Sequence, residues 1–333
     1  MVPHPRVPLS FIPSPPANGI HLGPLFIHYY GLMYVVGITL AVLITQRRVR
    51  NYGGDPSLVA DVAIWAVPAG IIGGRIYFDI TTPSQIPHEW YGVFAVWQGG
   101  LGIWGGVAAG AAVGIWRVKR RGASGALFAD AVAPALLVAQ AVGRIGNYFN
   151  QELFGGPTRL PWALVISPAF RPAGYAGYRT FHPTFLYELI FDLALAAFLV
   201  WLGHHSAVRP PGLFALYVTG YSAFRIFEES LRIDYSQHFL GLRLNTFVAS
   251  ALTLIGIVWF IYTQRRKPPA PTPADGEPEA EASSEGDTES APAVSAKDST
   301  EENATPGDTP ASDDSSPSSH PAATSASADT DHR

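Results

Sequence analysis

Long apolar runs alternate with short polar stretches along the first 266 residues. Seven runs approach the roughly 20 residues that a helix needs to cross a hydrocarbon core about 30 Å thick. They cover residues 25–45, 58–78, 93–116, 126–143, 183–202, 212–227 and 244–263. Helices of a soluble protein would each show a polar face, and residues 244–263 show almost none. The pattern therefore predicts an all-α, polytopic membrane helix bundle of about seven transmembrane helices.

Basic residues flank these runs on alternate connections. They follow the first run in "QRRVR", the third in "RVKRR", the fifth in "HHSAVR" and the seventh in "QRRK". If seven helices alternate in direction, these clusters share one side, which the positive-inside rule makes cytoplasmic. The N-terminus is then predicted to lie outside. The first 19 residues have no continuous apolar stretch before a cleavage site, so no cleaved signal peptide is expected.

Composition separates a second region from the bundle. Residues 267–333 hold 15 of the 26 acidic residues but only three of the 22 basic ones. They are rich in Pro, Ala, Ser and Thr, and they cannot bury enough apolar surface to offset the entropy of ordering. We predict a seven-helix transmembrane domain of residues 1–266 and a disordered, acidic cytoplasmic tail of residues 267–333. The absence of cysteine excludes disulfides, thiolate metal sites and a cysteine nucleophile in this chain.

Charged groups cluster at the predicted outer ends of three helices. Arg75 lies in "GGRIYFD", and Arg144 and Glu152 lie in "GRIGNYFNQELFG". At about 100° per residue, one face of the sixth helix presents a set of four side chains within roughly 80°. These are Tyr221, Arg225, Glu229 and Arg232. We expect arginines of the three helices to converge.

Two interpretations of this cluster are open. Arg225 could pair with Glu229 and Arg144 with Glu152, so that both pairs only hold helices together. Alternatively, the local excess of basic groups binds an anion, because charged groups at membrane depth usually serve a function. Guanidinium groups match phosphate oxygens well, and phospholipid is the abundant phosphate at that depth.

Three further motifs have structural as well as functional interpretations. "GLGIWG" has the glycine spacing of a dinucleotide loop but lacks the βαβ context, which favours close helix packing. "FHPTFLYE" places His182, a candidate ligand, just before a helix start, with Tyr187 and Glu188 inside the helix; the alternative is a helix entry with a buried polar pair. Tyr30, in "HYYGLMY", is either an interfacial aromatic residue or part of the site.

Taken together, the motifs resemble one family. "GRIGNYFNQELFG" is similar to the signature of prolipoprotein diacylglyceryl transferase, a bacterial membrane enzyme. "HYYGLMY", "GGRIY", "GGLGIWGG", "HPTFLYE" and "GYSAFRIFEESLR" accompany it in the expected order. The resemblance covers about residues 25–263. It implies seven transmembrane helices with an outside N-terminus, in agreement with the basic connections.

The resemblance implies an activity and its partners. Family members transfer the diacylglyceryl group of phosphatidylglycerol to the lipobox cysteine of a prolipoprotein, forming a thioether and releasing glycerol 1-phosphate. The substrate supplies the thiol, so this chain needs no cysteine. We expect a multi-pass protein of the bacterial cell membrane whose site faces the outer leaflet. No cofactor, metal or nucleic-acid partner is expected.

The motifs also carry over candidate residues. By resemblance, Arg144 contacts phosphatidylglycerol and Arg225 contacts the leaving phosphate. The other catalytic candidates are Tyr30, Asn147, Glu152 and Glu229, of which the two glutamates would orient the arginines. The other substrate-binding candidates are Arg75, Gly155, His182, Tyr221 and Arg232.

One position departs from the family pattern. Many members carry a histidine, proposed as the base for the thiol, where this chain has Trp104. The arginine cluster could activate the thiol electrostatically, since a thiol of pKa about 8.5 is already partly ionised near neutral pH. His182 and the phosphate of the lipid are the other candidate proton acceptors.

A phospholipid-binding transporter is the alternative function. It too would place arginines and glycine-broken helices within a bundle. The two halves of the chain show no internal repeat, however, and the polar residues cluster toward one side. These features favour the transferase.

The predicted tail generates a first test. Truncation after Lys267 should leave the transfer rate unchanged, because the segment lacks the apolar residues needed to pack on the bundle. The measurement is the turnover of purified full-length and truncated protein on one substrate peptide. A large loss in the truncated protein would show that the tail takes part in the reaction.

Overall fold

The computed structural model describes residues 11–234, 236 and 238–265. Seven α-helices make up most of this part of the chain. They are α1 (Tyr29–Asn51), α2 (Ser57–Thr81), α3 (Ile103–Arg120), α4 (Gly125–Asn150), α5 (Thr184–His205), α6 (Gly212–Leu231) and α7 (Leu244–Arg265). The predicted tail lies outside the described residues, so the division at residue 266 stays a prediction.

Three short antiparallel hairpins accompany the helices. Their strands are β1 (Gly19–Leu22), β2 (Leu25–His28), β3 (Leu164–Val165), β4 (Thr180–Phe181), β5 (His238–Phe239) and β6 (Leu242–Arg243). They pair as β1 with β2, β3 with β4, and β5 with β6. Each hairpin lies next to a helix end, so the sheets shape the ends of the bundle.

The distribution of side chains is that of a membrane protein. Large apolar groups such as Ile80 and Val258 are 75% and 65% exposed, whereas Glu188 and Asp192 are fully buried. Five helices, α1, α2, α4, α5 and α7, are long and apolar enough to cross a membrane. The prediction of a polytopic helical membrane protein is confirmed, and the count of seven spans stays a prediction.

Three predicted helix boundaries were wrong. Residues 25–28 form β2 rather than the start of the first helix. The third helix begins at Ile103, because Gly99 and Gly100 adopt positive φ angles of 89° and 79° that no α-helix contains. The fourth helix continues to Asn150, where Gln151 ends it in a left-handed conformation.

Glycines bring α2 and α3 into close contact. A Cβ atom on Gly105 would lie 2.2 Å from the carbonyl oxygen of Gly73, and one on Gly73 would lie 2.5 Å from that of Gly105. Backbones can approach this closely only where side chains are absent, as at small-residue helix contacts in membranes. The packing interpretation of "GLGIWG" is therefore confirmed.

Helix α4 occupies the centre of the bundle, where it packs against α1, α5 and α6. A buried cluster joins Ala133 and Leu137 of α4 to Leu199 of α5 and Leu213 of α6. After α4, residues 151–183 form a cap around the buried rings of Phe154 and Phe181. Ile12 extends this cap by pairing with Leu164. The fold thus fixes α4, α5 and α6 against one another beneath the cap.

Basic residues end the odd-numbered helices only. The last turns of α1, α3, α5 and α7 contain arginine, lysine or histidine, whereas those of α2, α4 and α6 contain no basic residue. This alternation is the one expected from the positive-inside rule. The outside position of the N-terminus stays a prediction.

The glycine contact generates a stability test. Gly105→Ala should lower the melting temperature of the purified protein, because the new methyl group meets the backbone of α2 rather than a movable side chain. Overpacking of this kind costs about 1–3 kcal/mol. Gly31→Ala in α1 is the matched control, since a Cβ there meets no atom within 4 Å. Equal melting temperatures for the two variants would contradict the packing argument.

Candidate active site

Arg144 lies in the last two turns of α4 and faces α5 and α6. Its Nη2 atom forms an ion pair with Oε1 of Glu188 and lies 3.4 Å from the hydroxyl of Tyr221. Its Nη1 atom donates to Oδ1 of Asn147, one turn further along α4, at 3.2 Å. Because α4 extends to Asn150, the signature arginine is held by regular helix rather than by a loop.

Arg225 reaches the same carboxylate from α6. Its Nη1 atom lies 3.4 Å from Oε2 of Glu188 and also pairs with Glu228, while Nη2 lies 3.2 Å from Oε2 of Glu229. Glu188 of α5 therefore joins the two arginines, and it also accepts a 3.0 Å hydrogen bond from Tyr221. We call Arg144, Arg225, Glu188, Glu228 and Glu229 the arginine–glutamate cluster.

Exposure differs sharply within this cluster. The glutamate side chains are 0–1% exposed, whereas those of Arg144 and Arg225 are 16% and 18% exposed. The carboxylates thus hold each guanidinium from the protein interior and leave part of it accessible. A guanidinium oriented in this way can present its remaining surface to an anion.

Two details of the predicted charge arrangement were wrong. Arg144 pairs with Glu188 rather than with Glu152. The local excess of basic groups is also absent from the described cluster, in which three glutamates face two arginines. The long-range partners from α5 could not be identified from residues near Arg144 in the sequence. The predicted pairing of Arg225 with Glu229 is confirmed.

Glu152 acts on Arg144 through Asn147. The amide nitrogen of Asn147 donates to Oε1 of Glu152 at 2.8 Å, and its amide oxygen accepts from Arg144. Asn150 donates to the same carboxylate oxygen at 3.2 Å. Two residues predicted to be catalytic therefore form one hydrogen-bonded support for the signature arginine.

Tyr30 lies at the start of α1 and packs on α4 beside this support. A Cβ atom on Gly146 would lie 2.6 Å from the ring of Tyr30, so the ring sits directly on the helix backbone. Its hydroxyl lies 3.1 Å from that of Tyr34. Its catalytic role stays a prediction.

Gly155 occupies a crossing of three chain segments. Its amide donates to the carbonyl of His182 at 3.0 Å, and a Cβ atom there would lie 2.8 Å from Cβ of His182 and 3.0 Å from the carbonyl oxygen of Leu231. Any side chain would separate the cap from the ends of α5 and α6. Packing therefore requires this glycine, and its role in substrate binding stays a prediction.

Arg232 does not continue the predicted face of α6. The helix ends at Leu231, and Arg232 is extended, with φ −73° and ψ 144°. Its guanidinium pairs with Asp234 through contacts of 2.7 and 2.9 Å. Arg243 of β6 takes the place beside the helix, where its Nε atom lies 2.6 Å from Oε1 of Glu229.

Arg75 forms a separate site, contrary to the expected convergence. Its guanidinium donates to the carbonyl oxygens of Val93, Gly99 and Gly100 at 2.8, 2.8 and 3.1 Å, and also to that of Gly92. The residue is 5% exposed. Its donors hold the connection between α2 and α3, and no contact within the described residues joins it to the arginine–glutamate cluster.

His182 is a candidate acceptor for the proton of the substrate thiol, and Trp104 stands where many family members carry a histidine. The Nδ1 atom of His182 lies 3.2 Å from the hydroxyl of Tyr187, which accepts from the indole of Trp162 at 3.1 Å. Burial lowers the pKa of the His182 imidazole below its usual range, which favours the neutral ring at neutral pH. Trp104 is 46% exposed on α3 and carries no titratable group.

Sequence reasoning missed several members of the site. Glu188 was noted only as part of a buried polar group, and Glu228, Asp192 and Arg243 were not singled out. Glu188 and Asp192 share one face of α5, a helix that is long and apolar enough to cross a membrane. Two acids one turn apart in so apolar a segment are the signal that could have identified them.

A narrow cleft opens beside the cluster. Arg144, Asn147, Glu152 and Glu228 line it together with Leu153, Thr184 and Phe185. The cleft contains the accessible side of the Arg144 guanidinium, the residues Asn147 and Glu152 that support it, and the carboxyl group of Glu228 from α6. The cleft therefore brings the guanidinium of Arg144 and the carboxyl group of Glu228 to one surface.

Comparisons with known proteins identify the family. The sequence model of the prolipoprotein diacylglyceryl transferase family matches residues 18–262. The phosphatidylglycerol–prolipoprotein diacylglyceryl transferase of Frankia alni is 47% identical over 260 residues, which cover 77% of this chain and 68% of that protein. Those of Cutibacterium acnes and Bifidobacterium adolescentis are 46% and 43% identical, cover 77% of this chain, and are covered to 87% and 81%. The chain belongs to the prolipoprotein diacylglyceryl transferase family.

Proposed function

We propose that this chain transfers the diacylglyceryl group of phosphatidylglycerol to the lipobox cysteine of a prolipoprotein. The single observation that carries the proposal is the pair of partly accessible guanidinium groups held by buried glutamates in a membrane helix bundle. Such a pair suits the phosphate of a lipid substrate. Family membership supports the reaction class.

The chemistry explains why positive charge is needed. The sulfur of the cysteine forms a bond to the terminal glyceryl carbon, and the bond from that carbon to the phosphate oxygen breaks. The electron pair stays on this oxygen, so the leaving glycerol 1-phosphate gains negative charge in the transition state. Fixed guanidinium donors stabilise this developing charge without reorganisation.

We assign different tasks to the two arginines. Arg144 borders the cleft and would bind phosphatidylglycerol, while Arg225 would bind the phosphate that leaves. Asn147 and Glu152 orient Arg144, and Glu229 orients Arg225. Tyr221 and Glu188 fix the two guanidinium groups relative to each other.

We further propose that the site faces the outer leaflet of the bacterial cell membrane. The cluster lies toward the C-terminal ends of α4 and α6, opposite to the end at which the odd-numbered helices carry their basic residues. By the positive-inside rule, the basic ends of the odd-numbered helices are cytoplasmic, so the end of the bundle that holds the cluster is the outer one. A secreted prolipoprotein would present its cysteine on the same side.

The first test of function is direct. Detergent-purified protein is incubated with phosphatidylglycerol and a synthetic lipobox peptide, and the mass of the peptide is measured by mass spectrometry. We expect the mass of one diacylglyceryl group to be added at the cysteine, with no energy source. No added mass from a folded protein that still binds phosphatidylglycerol would favour a lipid-binding or transport function.

The same assay tests the two arginines. Arg144→Ala and Arg225→Ala should each lower the transfer rate by at least about 10²–10³, the typical effect of removing one fixed donor. Arg117→Ala is the matched control, because Arg117 also pairs with a carboxylate, Asp61 at 2.8 Å, at the other end of the bundle. A folded Arg144 or Arg225 variant with a near-normal rate would remove that residue from the mechanism.

A further inference from the structure

Two exposed arginines of the cap are neighbours across a pair of antiparallel segments. The amide of Thr158 donates to the carbonyl of Thr180 at 3.1 Å, within an antiparallel register of the two segments. The next residues in this register are Arg159 and Arg179, one on each segment, and both are exposed. Side chains that lie opposite each other in such a register are close together. The cap therefore holds two like charges side by side, and we call these two residues the cap arginine pair.

The cap arginine pair has no partner within the part of the chain that the structure describes. Neither guanidinium forms a hydrogen bond or an ion pair there. Like charges placed opposite each other are unfavourable unless another group neutralises them. The other arginines toward this end of the bundle each pair with a carboxylate or donate to backbone carbonyls; they are Arg75, Arg144, Arg171, Arg225, Arg232 and Arg243.

The sequence around the pair provides no negative charge. No acidic residue lies between Glu152 and Glu188, a stretch that contains three arginines. The stretch follows α4 at the end of the bundle opposite to the basic ends of the odd-numbered helices. Insertion by the positive-inside rule would favour basic residues at the other end. The positive charge of the cap is therefore not explained by topology, and an external anion would balance it.

A tryptophan relates the pair to the membrane surface. Trp162 lies three residues after Arg159, is 47% exposed, and donates from its indole to the hydroxyl of Tyr187 at 3.1 Å. Tyr187 lies in the first turn of α5, a helix apolar enough to cross a membrane. Tryptophan and tyrosine at helix ends are typical of the membrane–water interface. The cap arginine pair is therefore expected at the level of the lipid headgroups.

The pair is separate from the cleft but close to it. Thr184 lines the cleft and lies five residues after Arg179. Five residues span at most about 18 Å, even when fully extended. A lipid at the pair would therefore be near a lipid whose headgroup is in the cleft.

We propose that Arg159 and Arg179 together bind the phosphate of an anionic phospholipid in the outer leaflet. Two guanidinium groups donate paired hydrogen bonds to a phosphodiester, and its negative charge offsets their mutual repulsion. A zwitterionic lipid is bound less well, because its cation is repelled. The inference rests on the proposed function for the outer position of the cap and for its benefit, a higher concentration of phosphatidylglycerol beside the cleft.

The first measurement separates lipid supply from chemistry. The protein is placed in bilayer discs of phosphatidylcholine with increasing fractions of phosphatidylglycerol, and transfer to a lipobox peptide is measured. In the double variant Arg159→Gln/Arg179→Gln, the half-saturating fraction of phosphatidylglycerol should rise about tenfold or more, since each basic group near anionic lipid contributes about fivefold. The rate at saturation should stay unchanged.

The matched control removes the same charge at the other end of the bundle. Arg47 and Arg50 are exposed near the end of α1. Arg47→Gln/Arg50→Gln should leave the half-saturating fraction unchanged. An equal rise in this control would overturn the proposal, because the effect would then come from net charge alone.

A second measurement does not depend on turnover. Native mass spectrometry of the detergent-purified proteins, given equal amounts of the two lipids, counts the bound molecules of each. The variant that lacks the cap arginine pair should retain fewer molecules of phosphatidylglycerol and as many of phosphatidylcholine as the unmodified protein. If the unmodified protein transfers nothing, the proposed function fails, and the lipid count still decides about the pair.

Three outcomes would overturn the inference. The first is an unchanged count of phosphatidylglycerol in the double variant, and the second is an equal loss of both lipids. The third is a higher half-saturating concentration of the lipobox peptide with no change for the lipid, which would make the peptide the partner. If the double variant fails to fold, Arg179→Gln alone replaces it, with an expected rise of about fivefold.

Discussion

The site depends on the ion pairs that the carboxylate of Glu188 forms. This carboxylate lies fully buried in an apolar helix, where an unpaired charge would be strongly unfavourable. Arg144 from α4 and Arg225 from α6 both pair with it, so one carboxylate joins three helices. If both arginines moved away, the buried charge of Glu188 would be left without an ion-pair partner. The same ion pairs therefore hold these three helices together and fix the orientation of the two arginines.

This arrangement is compatible with both interpretations of the arginines. The glutamates are buried, whereas the guanidinium groups remain partly accessible. Burial of the glutamates fixes the donors in advance. Fixed donors are more effective at stabilising developing charge than donors that must reorient during the reaction. Structural pairing is thus the means by which the arginines become suitable for binding an anion.

The sequence predicted what depends on local periodicity. The apolar runs identified all seven helices, and the helical repeat placed Arg225 and Glu229 on one face. It failed at Arg232, because the end of α6 is set by contacts with the cap rather than by residue type. The predictions for Arg75 and Arg144 failed because the partners of both residues are far away in the sequence. Arg75 contacts backbone carbonyls of the connection between α2 and α3, and Arg144 contacts a carboxylate of α5.

Backbone hydrogen bonds of the cap also hold the end of α6, which carries part of the cluster. Within the cap, Gly155 hydrogen-bonds to His182 just before α5, and Gly156 joins the cap to Leu231 at the end of α6. Just beyond Leu231, Arg243 joins Glu229 to the segment that precedes α7. Glu229 in turn holds Arg225. A shift of the cap would therefore move the end of α6 and the guanidinium of Arg225 together, which couples the cap to the geometry of the arginine–glutamate cluster.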